Sequence, residues 1–264
     1  MAAPIQVHGH RGARAVLPEN TIPAFAYAID QGVDAIEMDV AVTKDDVLVV
    51  SHDPVLNPEI CRSPGGGTVI RQLTFAQLRL WDCGSRVNPH FPNQQPIPGT
   101  RIPTLEEVFT LAKRGNFLFN IEAKLFPDHP ALTPPPERFA ELLLHAIDRH
   151  HLRPRVIVQS FDFRILIAMK NLAPAIRLAA LDEDENLGDF VSVARGACAQ
   201  IIAPEKGLVT SAKVVAAHQA GLQVIPWTAN TPQAWDPLLA AAVDAIITDD
   251  PAALINYLKQ KKLR

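Results

Sequence analysis

The sequence predicts an α/β fold, a TIM (β/α)8 barrel with a small insertion after the second strand. The first observation is alternation. Short β-branched or apolar runs at 5–8, 35–40, 117–122, 156–160, 177–181, 201–204, 223–228 and 245–248 make eight strand candidates, separated by stretches of helical period. Strands joined by helices pair in parallel, because the crossover returns each strand to the same end of the sheet. The second observation is size: 264 residues match the usual length of such a barrel, about 250 residues, and can bury a substantial core. The third is punctuation. Helix candidates lie at 21–31, 104–113, 136–150, 163–171, 189–195, 211–220 and 232–242, several of them opened by Ser, Thr or Asp or closed by glycines such as Gly32, Gly115 and Gly221. These residues satisfy the free amides at a helix start and the left-handed turn at its end.

A further extended run at 47–51 follows the second strand after only Thr43-Lys44-Asp45-Asp46. A parallel crossover needs roughly a dozen residues or more, so this run must fold back as an antiparallel hairpin. The fold-back carries His52 toward Glu37 and Asp39. Residues 53–101 are rich in turn formers, including Gly65-Gly66-Gly67 and Pro96-Ile97-Pro98-Gly99, around one short amphipathic piece near Phe75 to Trp81. The expectation is one domain over 1–264, with 53–101 inserted at the barrel mouth.

Composition narrows the function. Lys and Arg number 25 against 28 Asp and Glu, with no long run of either sign, so the chain lacks the electrostatic footprint of a nucleic-acid or anionic-membrane binder. A small-molecule substrate is expected. Cys61, Cys83 and Cys198 are odd in number and widely spaced, which indicates neither a disulfide framework nor a structural zinc site and favours a reducing, cytoplasmic location. Strand-like sequence begins by Ile5, leaving no room for a signal peptide. No run of about 18 apolar residues is present, so stable membrane insertion is not expected. The oligomeric state is not legible.

Chemistry gathers at strand ends. Residues two apart on a strand share a face, so Glu37 pairs with Asp39, Glu122 with Lys124, and His8 with His10. Near the C-terminal ends of barrel strands such groups converge on one mouth. Glu37, Asp39 and Glu122 supply hard oxygen ligands without cysteine, a set suited to one divalent cation, Mg²⁺ or Ca²⁺, rather than zinc. Taken singly, each acid is equally a solvated strand end or a salt-bridge partner; inward-facing carboxylates, however, must be paired or bind metal. His10 and His52 suit a general base and a general acid, because imidazole titrates near neutral pH. Arg11 can fork onto phosphate oxygens, and Lys124 can neutralise phosphoryl charge or balance the acids. His8, one strand step deeper, reads as a hydrogen-bonded histidine of the barrel interior.

These residues fall within longer stretches. His10-Arg11-Gly12, Pro18-Glu19-Asn20-Thr21, Ala24-Phe25, Glu37-Met38-Asp39-Val40, Thr43-Lys44-Asp45, Val49-Val50-Ser51-His52-Asp53, Ile121-Glu122-Ala123-Lys124, Gln159-Ser160-Phe161, Trp227-Thr228 and Ile246-Ile247-Thr248-Asp249 occur in that order over nearly the whole chain. In order and spacing they resemble the glycerophosphodiester phosphodiesterase family, departing at Asp46, where glycine is common, and at Ala123, where a larger apolar residue is usual. The resemblance implies a metal-dependent barrel that hydrolyses glycerophosphodiesters to glycerol 3-phosphate and an alcohol. Glu37, Asp39 and Glu122 would hold the cation, His10 and His52 would be the acid/base pair acting through a cyclic phosphate, and Arg11 and Lys124 would bind phosphate. Gln159, Phe161 and Trp227, at the ends of two further strands, are expected to line the glycerol or headgroup pocket, with barrel packing as the other role for Phe161.

Other functions make different demands. A lysophospholipase D-type phosphodiesterase would use the same site and need an apolar tunnel in 53–101. An amidohydrolase-like metal hydrolase also opens on His-x-His, but it needs a lone bridging Lys or a His on the middle strands, and 156–161 and 177–182 contain no histidine. A barrel kept only for binding would have lost a histidine or a carboxylate, and all five are present.

Overall fold

The computed structural model describes residues 4–264. The chain runs through β1 (Gln6–Gly9), α1 (Ile22–Gln31), β2 (Ala35–Val42), β3 (Leu48–Val50), α2 (Phe75–Leu78), α3 (Leu105–Phe109) and β4 (Leu118–Ala123). It continues through α4 (Pro136–Arg149), β5 (Val156–Ser160), α5 (Phe163–Leu172), β6 (Arg177–Asp182), α6 (Phe190–Gly196) and β7 (Ile201–Pro204). The last elements are α7 (Ser211–Gln219), β8 (Gln223–Val224), α8 (Pro232–Ala240), β9 (Ala245–Thr248) and α9 (Pro251–Gln260). Parallel pairing follows the order β8-β7-β6-β5-β4-β2-β1-β9. Backbone hydrogen bonds from Asp244 N to Val224 O (3.0 Å) and Ile247 N to Pro226 O (3.0 Å) join the two ends into a nearly closed barrel.

Local chemistry explains the element ends. Thr21 caps α1 through the Ala24 amide, and Gly32 ends it in the left-handed region at φ 86°. Thr104 and Glu107 form a reciprocal capping box on α3, which passes into a 3₁₀ turn at Thr110–Arg114 in place of one continuous helix. β8 is shorter than the expected 223–228 because Pro226 has no amide to give the ladder. Ile225 N and Trp227 N still reach Ile202 O and Pro204 O, so the backbone path is kept. The helix α9, capped by Asp250 with Pro251 in its first turn, adds an element beyond the expected set.

β3 pairs antiparallel with β2, Val50 facing Val40, as the short linker requires. Its turn uses Asp46 at φ 60°, a conformation glycine adopts freely, which explains why glycine is common there. Arg71 and Arg138 hold the Asp46 carboxylate in compensation. Residues 53–101 build a small core of their own from Leu56, Ile70, Leu73, Leu78 and Trp81 against Val49 and Ala41. This core contains a disulfide between Cys61 and Cys83, with S–S 2.02 Å. The expectation of no disulfide is therefore corrected: cysteines 22 positions apart in sequence are brought together by the insertion's fold, and their spacing carried no signal. The cysteine argument for a reducing compartment falls with it.

The barrel interior is divided. Ile157, Ala179, Leu181, Ile201, Ala203, Ile225, Ala245 and Ile247 fill one half, whereas His8, Glu37, Asp39, Asn120, Glu122 and Gln159 occupy the other, all buried. On β2 the alternation separates the layers, with Ile36, Met38 and Val40 packing in the helix-facing core. No helix among the described residues is long and apolar enough to cross a membrane.

Candidate active site

Register brings the acids together. β2 and β4 pair with Asp39 beside Glu122 and Glu37 beside Asn120, so inward positions two apart on one strand meet their counterparts on the next. Glu37, Asp39 and Glu122 offer carboxylate oxygens that all lie within 4.8 Å of one another. Asp39 Oδ1 is buried with no hydrogen-bond partner among the described residues, though Lys124 Nζ stands 3.5 Å from it. A hard-oxygen triad with one such orphaned atom fits a divalent cation, for which carboxylate oxygens are the preferred donors.

The positive groups lean on the triad. Lys124 Nζ lies 2.8 Å from Glu122 and 3.5 Å from Asp39. Arg11 Nε is 3.2 Å from Asp39, its NH1 is 2.6 Å from Glu19, and its backbone amide donates to Glu37 Oε2 at 2.9 Å. Arg11 adopts φ 50°, which turns its amide toward Glu37 while the side chain reaches Asp39. Asn20 Nδ2 adds a bond to Asp39 at 2.9 Å.

The charges separate the acids electrostatically. Burial raises the Glu37 pKa well above the ordinary carboxylate range, with Asp39 and Glu122 adding to it. Burial also pushes Glu122 to about 7, with Lys124 opposing. Asp39 goes the other way: burial disfavours its charge, but Arg11 and Lys124 more than offset this and hold the pKa well below the usual value. Arg11 stays charged, since Asp39 and Glu19 outweigh the cost of its burial.

Each histidine has its own carboxylate. His10 Nδ1 meets Asp249 Oδ1 at 2.5 Å, and Asp249 is itself fixed by Asn230, whose Nδ2 donates to Oδ2 at 2.6 Å and whose Oδ1 accepts from the Asp249 amide at 2.8 Å. His52 Nδ1 meets Asp53 Oδ1 at 2.7 Å. With a carboxylate at Nδ1 the proton sits there, which leaves Nε2 of each ring for other partners. Nε2 of His10 lies 4.0 Å from Glu37. Burial lowers the His10 pKa from its ordinary value, the bond to Asp249 opposing the shift, so the ring is neutral near pH 7.

A cavity of about 500 Å³ at the C-terminal mouth is bordered by His10, Arg11, Glu37, His52, Glu122 and Lys124, and also by Gln159, Phe161 and Trp227. Of the candidate residues, Asp39 alone is set behind this wall. Phe161, 40% exposed, stands edge-on to Trp227 at 5.6 Å between ring centroids, at the mouth and not in the barrel core. Gln159 also has a structural partnership: its Nε2 donates to Glu37 Oε1 at 3.0 Å, and its Oε1 accepts from Asn120 at 3.0 Å. His8 is in the barrel interior as expected, but the expected hydrogen bond is not found, since neither ring nitrogen has a partner among the described residues.

Asp249, Asn230, Asp53, Asn20 and Glu19 were not singled out as site residues by type and spacing. Asp249 and Asp53 carried a weak signal, one directly after the last strand and the other directly after His52. Nothing in the sequence points to Asn230, which reaches the site only through its bonds to Asp249.

Fold and mouth together define the class: a (β/α)8-barrel enzyme in which two histidines and an acidic cluster that could hold a cation gather where the βα loops meet. The glycerophosphoryl diester phosphodiesterase family model matches residues 10–253. The chain is similar, at 34% identity over 258 residues covering 96% of it and 98% of the relative, to a glycerophosphodiester phosphodiesterase of Caldanaerobacter subterraneus subsp. tengcongensis. It therefore belongs to the glycerophosphoryl diester phosphodiesterase family. A solved structure from Silicibacter pomeroyi DSS-3 superposes with TM-score 0.87 at 30% identity, covering 94% of this chain and 91% of that one. An Oleispira antarctica phosphodiesterase, solved in complex with the product sn-glycerol-3-phosphate, shares the fold with TM-score 0.82 at 21% identity over 97% of each chain.

Proposed function

We propose that the chain hydrolyses glycerophosphodiesters to glycerol 3-phosphate and a free alcohol, with one divalent cation, Mg²⁺ or Ca²⁺, and with His10 and His52 as the acid/base pair. The observation that carries this is the meeting, at one cavity, of the Glu37, Asp39 and Glu122 cluster with two histidines each backed by a carboxylate. Membership of the family supports the substrate class.

Glu37, Asp39 and Glu122 would hold the cation. When bound, it neutralises charge on the phosphoryl oxygens and lowers the pKa of a neighbouring hydroxyl. Arg11 and Lys124 bind the remaining phosphoryl oxygens. His10, neutral and fixed by Asp249, takes the proton of the glycerol hydroxyl next to the ester. That oxygen attacks phosphorus, the bond to the leaving alcohol breaks, and His52 Nε2 delivers a proton to the departing oxygen. Water then opens the cyclic phosphate with the two histidines in exchanged roles. An internal nucleophile held in place removes much of the entropic cost of the step. Gln159 steadies Glu37 and, with Phe161 and Trp227, lines the glycerol or headgroup pocket.

Hydrolysis of glycerophosphocholine, glycerophosphoethanolamine, glycerophosphoinositol and a lysophospholipid, each with EDTA and with added Mg²⁺ or Ca²⁺, tests the proposal. Absence of metal-dependent turnover on all of them overturns it. For the acid role, His52→Ala should slow a choline ester far more than a p-nitrophenyl ester, whose leaving group needs no proton. Equal losses on both would sink that assignment.

A further inference from the structure

Residues 54–101 contribute nothing to the lining of the catalytic cavity, and the space between them and the barrel, where a lysophospholipase D-type enzyme would need its apolar tunnel, is about 40 Å³. Hydrogen bonds from the insertion reach the site through the connection from β1 to α1. Gln94, buried, donates through Nε2 to Arg14 O at 2.6 Å and to Leu17 O at 3.1 Å. The Gln95 amide donates to Val16 O at 2.8 Å, and the Phe91 ring faces the Arg14 guanidinium at 4.8 Å. Asn88, also buried, donates through Nδ2 to Glu19 Oε2 at 3.1 Å. Its Oδ1 accepts from the His90 amide at 3.0 Å and its own amide donates to Gln94 Oε1 at 3.1 Å, so the side chain is fixed with its donor toward Glu19.

Glu19 is where the insertion meets the site. Its Oε1 takes Arg11 Nη1 at 2.6 Å, and Arg14 Nε stands 3.4 Å from its Oε2. Arg11 is thus held on two sides, by Glu19 at Nη1 and by Asp39 at Nε. No hydrogen bond among the described residues takes its Nη2. A guanidinium is planar and rigid, so fixing two of its nitrogens fixes the direction of the third.

We propose, resting on the phosphate-binding role given to Arg11 above, that Glu19, anchored by Asn88 of the insertion, is a positioning residue that aims the Arg11 guanidinium at the substrate's phosphate. The insertion then serves the reaction from behind Arg11 without touching substrate. A misplacement of about 1 Å at such a group can cost about a hundredfold.

Polarity reversal tests the brace. Asn88→Asp keeps the acceptor for the His90 amide and sets a repelling oxygen against Glu19. Glu19→Gln keeps an acceptor for Arg11 and sets its amide donor against Asn88 Nδ2. In the double variant the new amide donates to the new carboxylate, which restores the bond in reverse. With added Mg²⁺ or Ca²⁺, each single variant should raise KM for glycerophosphocholine, and weaken calorimetric binding of glycerol 3-phosphate, by roughly ten- to hundredfold, with a smaller loss in kcat. The double variant should recover most of this, a coupling that independent sites do not show, whereas Glu19→Gln with Asn88→Ala should recover nothing. Losses in Tm with KM and the glycerol 3-phosphate Kd unchanged overturn the brace, as does a double variant no better than the worse single one. Asn88→Ala alone, which adds no repulsion, should show the same rise in KM if Asn88→Asp does not fold; an unchanged KM there overturns the brace too. A wild type that neither turns over a diester nor binds glycerol 3-phosphate removes the role of Arg11 and the brace with it, whereas an active wild type with unshifted variants removes the brace alone.

Discussion

Asp249 orients His10 by accepting a hydrogen bond from Nδ1–H, which leaves Nε2 free for the base role proposed above, and Asn230 holds Asp249 in place. Asp249→Asn keeps the size but presents an amide that can donate to Nδ1, trapping the wrong tautomer. The expected result is a kcat lower by about 10²–10⁴, the range seen when a catalytic histidine loses such a partner, with little change in KM or Tm. A matching loss in Tm would mean that Asp249 acts only in folding. His8 gives a prediction of another kind. Burial lowers its pKa from 6.5 to about 4, with Asp34 opposing. Between those pH values the unfolded chain binds a proton that the folded chain refuses, so stability falls as pH drops through the window. At about 1.4 kcal/mol per pKa unit the loss approaches 3 kcal/mol. Urea unfolding of His8→Leu should show correspondingly less loss between pH 7 and pH 4; an identical acid limb would refute the role.

A four-residue connection left β3 only an antiparallel partner, and the structure pairs Val40 with Val50. Chain geometry alone sets this pairing, and the hairpin carries His52 to the mouth. The Cys61–Cys83 disulfide was not legible, because it depends on how residues between the two cysteines turn back on themselves. It closes a loop across a separation of 22 residues, worth roughly 3 kcal/mol in the chain-entropy account. Cys61→Ser with Cys83→Ser should lower Tm by roughly 5–10 °C. Under denaturing conditions, thiol titration should find Cys198 alone reactive before reduction and all three cysteines after it. Three reactive thiols without reductant would show that the bond does not form. The extended run 223–228 is visible in the sequence, but the missing amide of Pro226 shortens its ladder to Gln223–Val224.

Across the molecule the barrel is built asymmetrically, apolar where β5 to β9 face inward and acidic where β2 and β4 meet. Three buried carboxylates against Arg11 and Lys124 leave the folded state with unfavourable like-charge contacts that a bound cation would relieve. Added Mg²⁺ or Ca²⁺ at about 100 times its Kd should stabilise the fold by about 2.7 kcal/mol, raising Tm by roughly 5–10 °C. Glu122→Gln should lose most of that shift while melting no lower than wild type in EDTA. A cation response unchanged by the substitution would place the ion elsewhere.

The strand and helix order, the barrel, the hairpin and the carboxylate and histidine candidates could all be read from the chain, because hydrophobic period, capping residues and linker length act over a few residues. The family resemblance bound these local signals into one expectation. The bond of His10 to Asp249, the support of Glu37 by Gln159, itself held by Asn120, and the Cys61–Cys83 link required the tertiary structure. Each joins side chains whose separation is set by strand register and loop packing, and no local pattern encodes those distances.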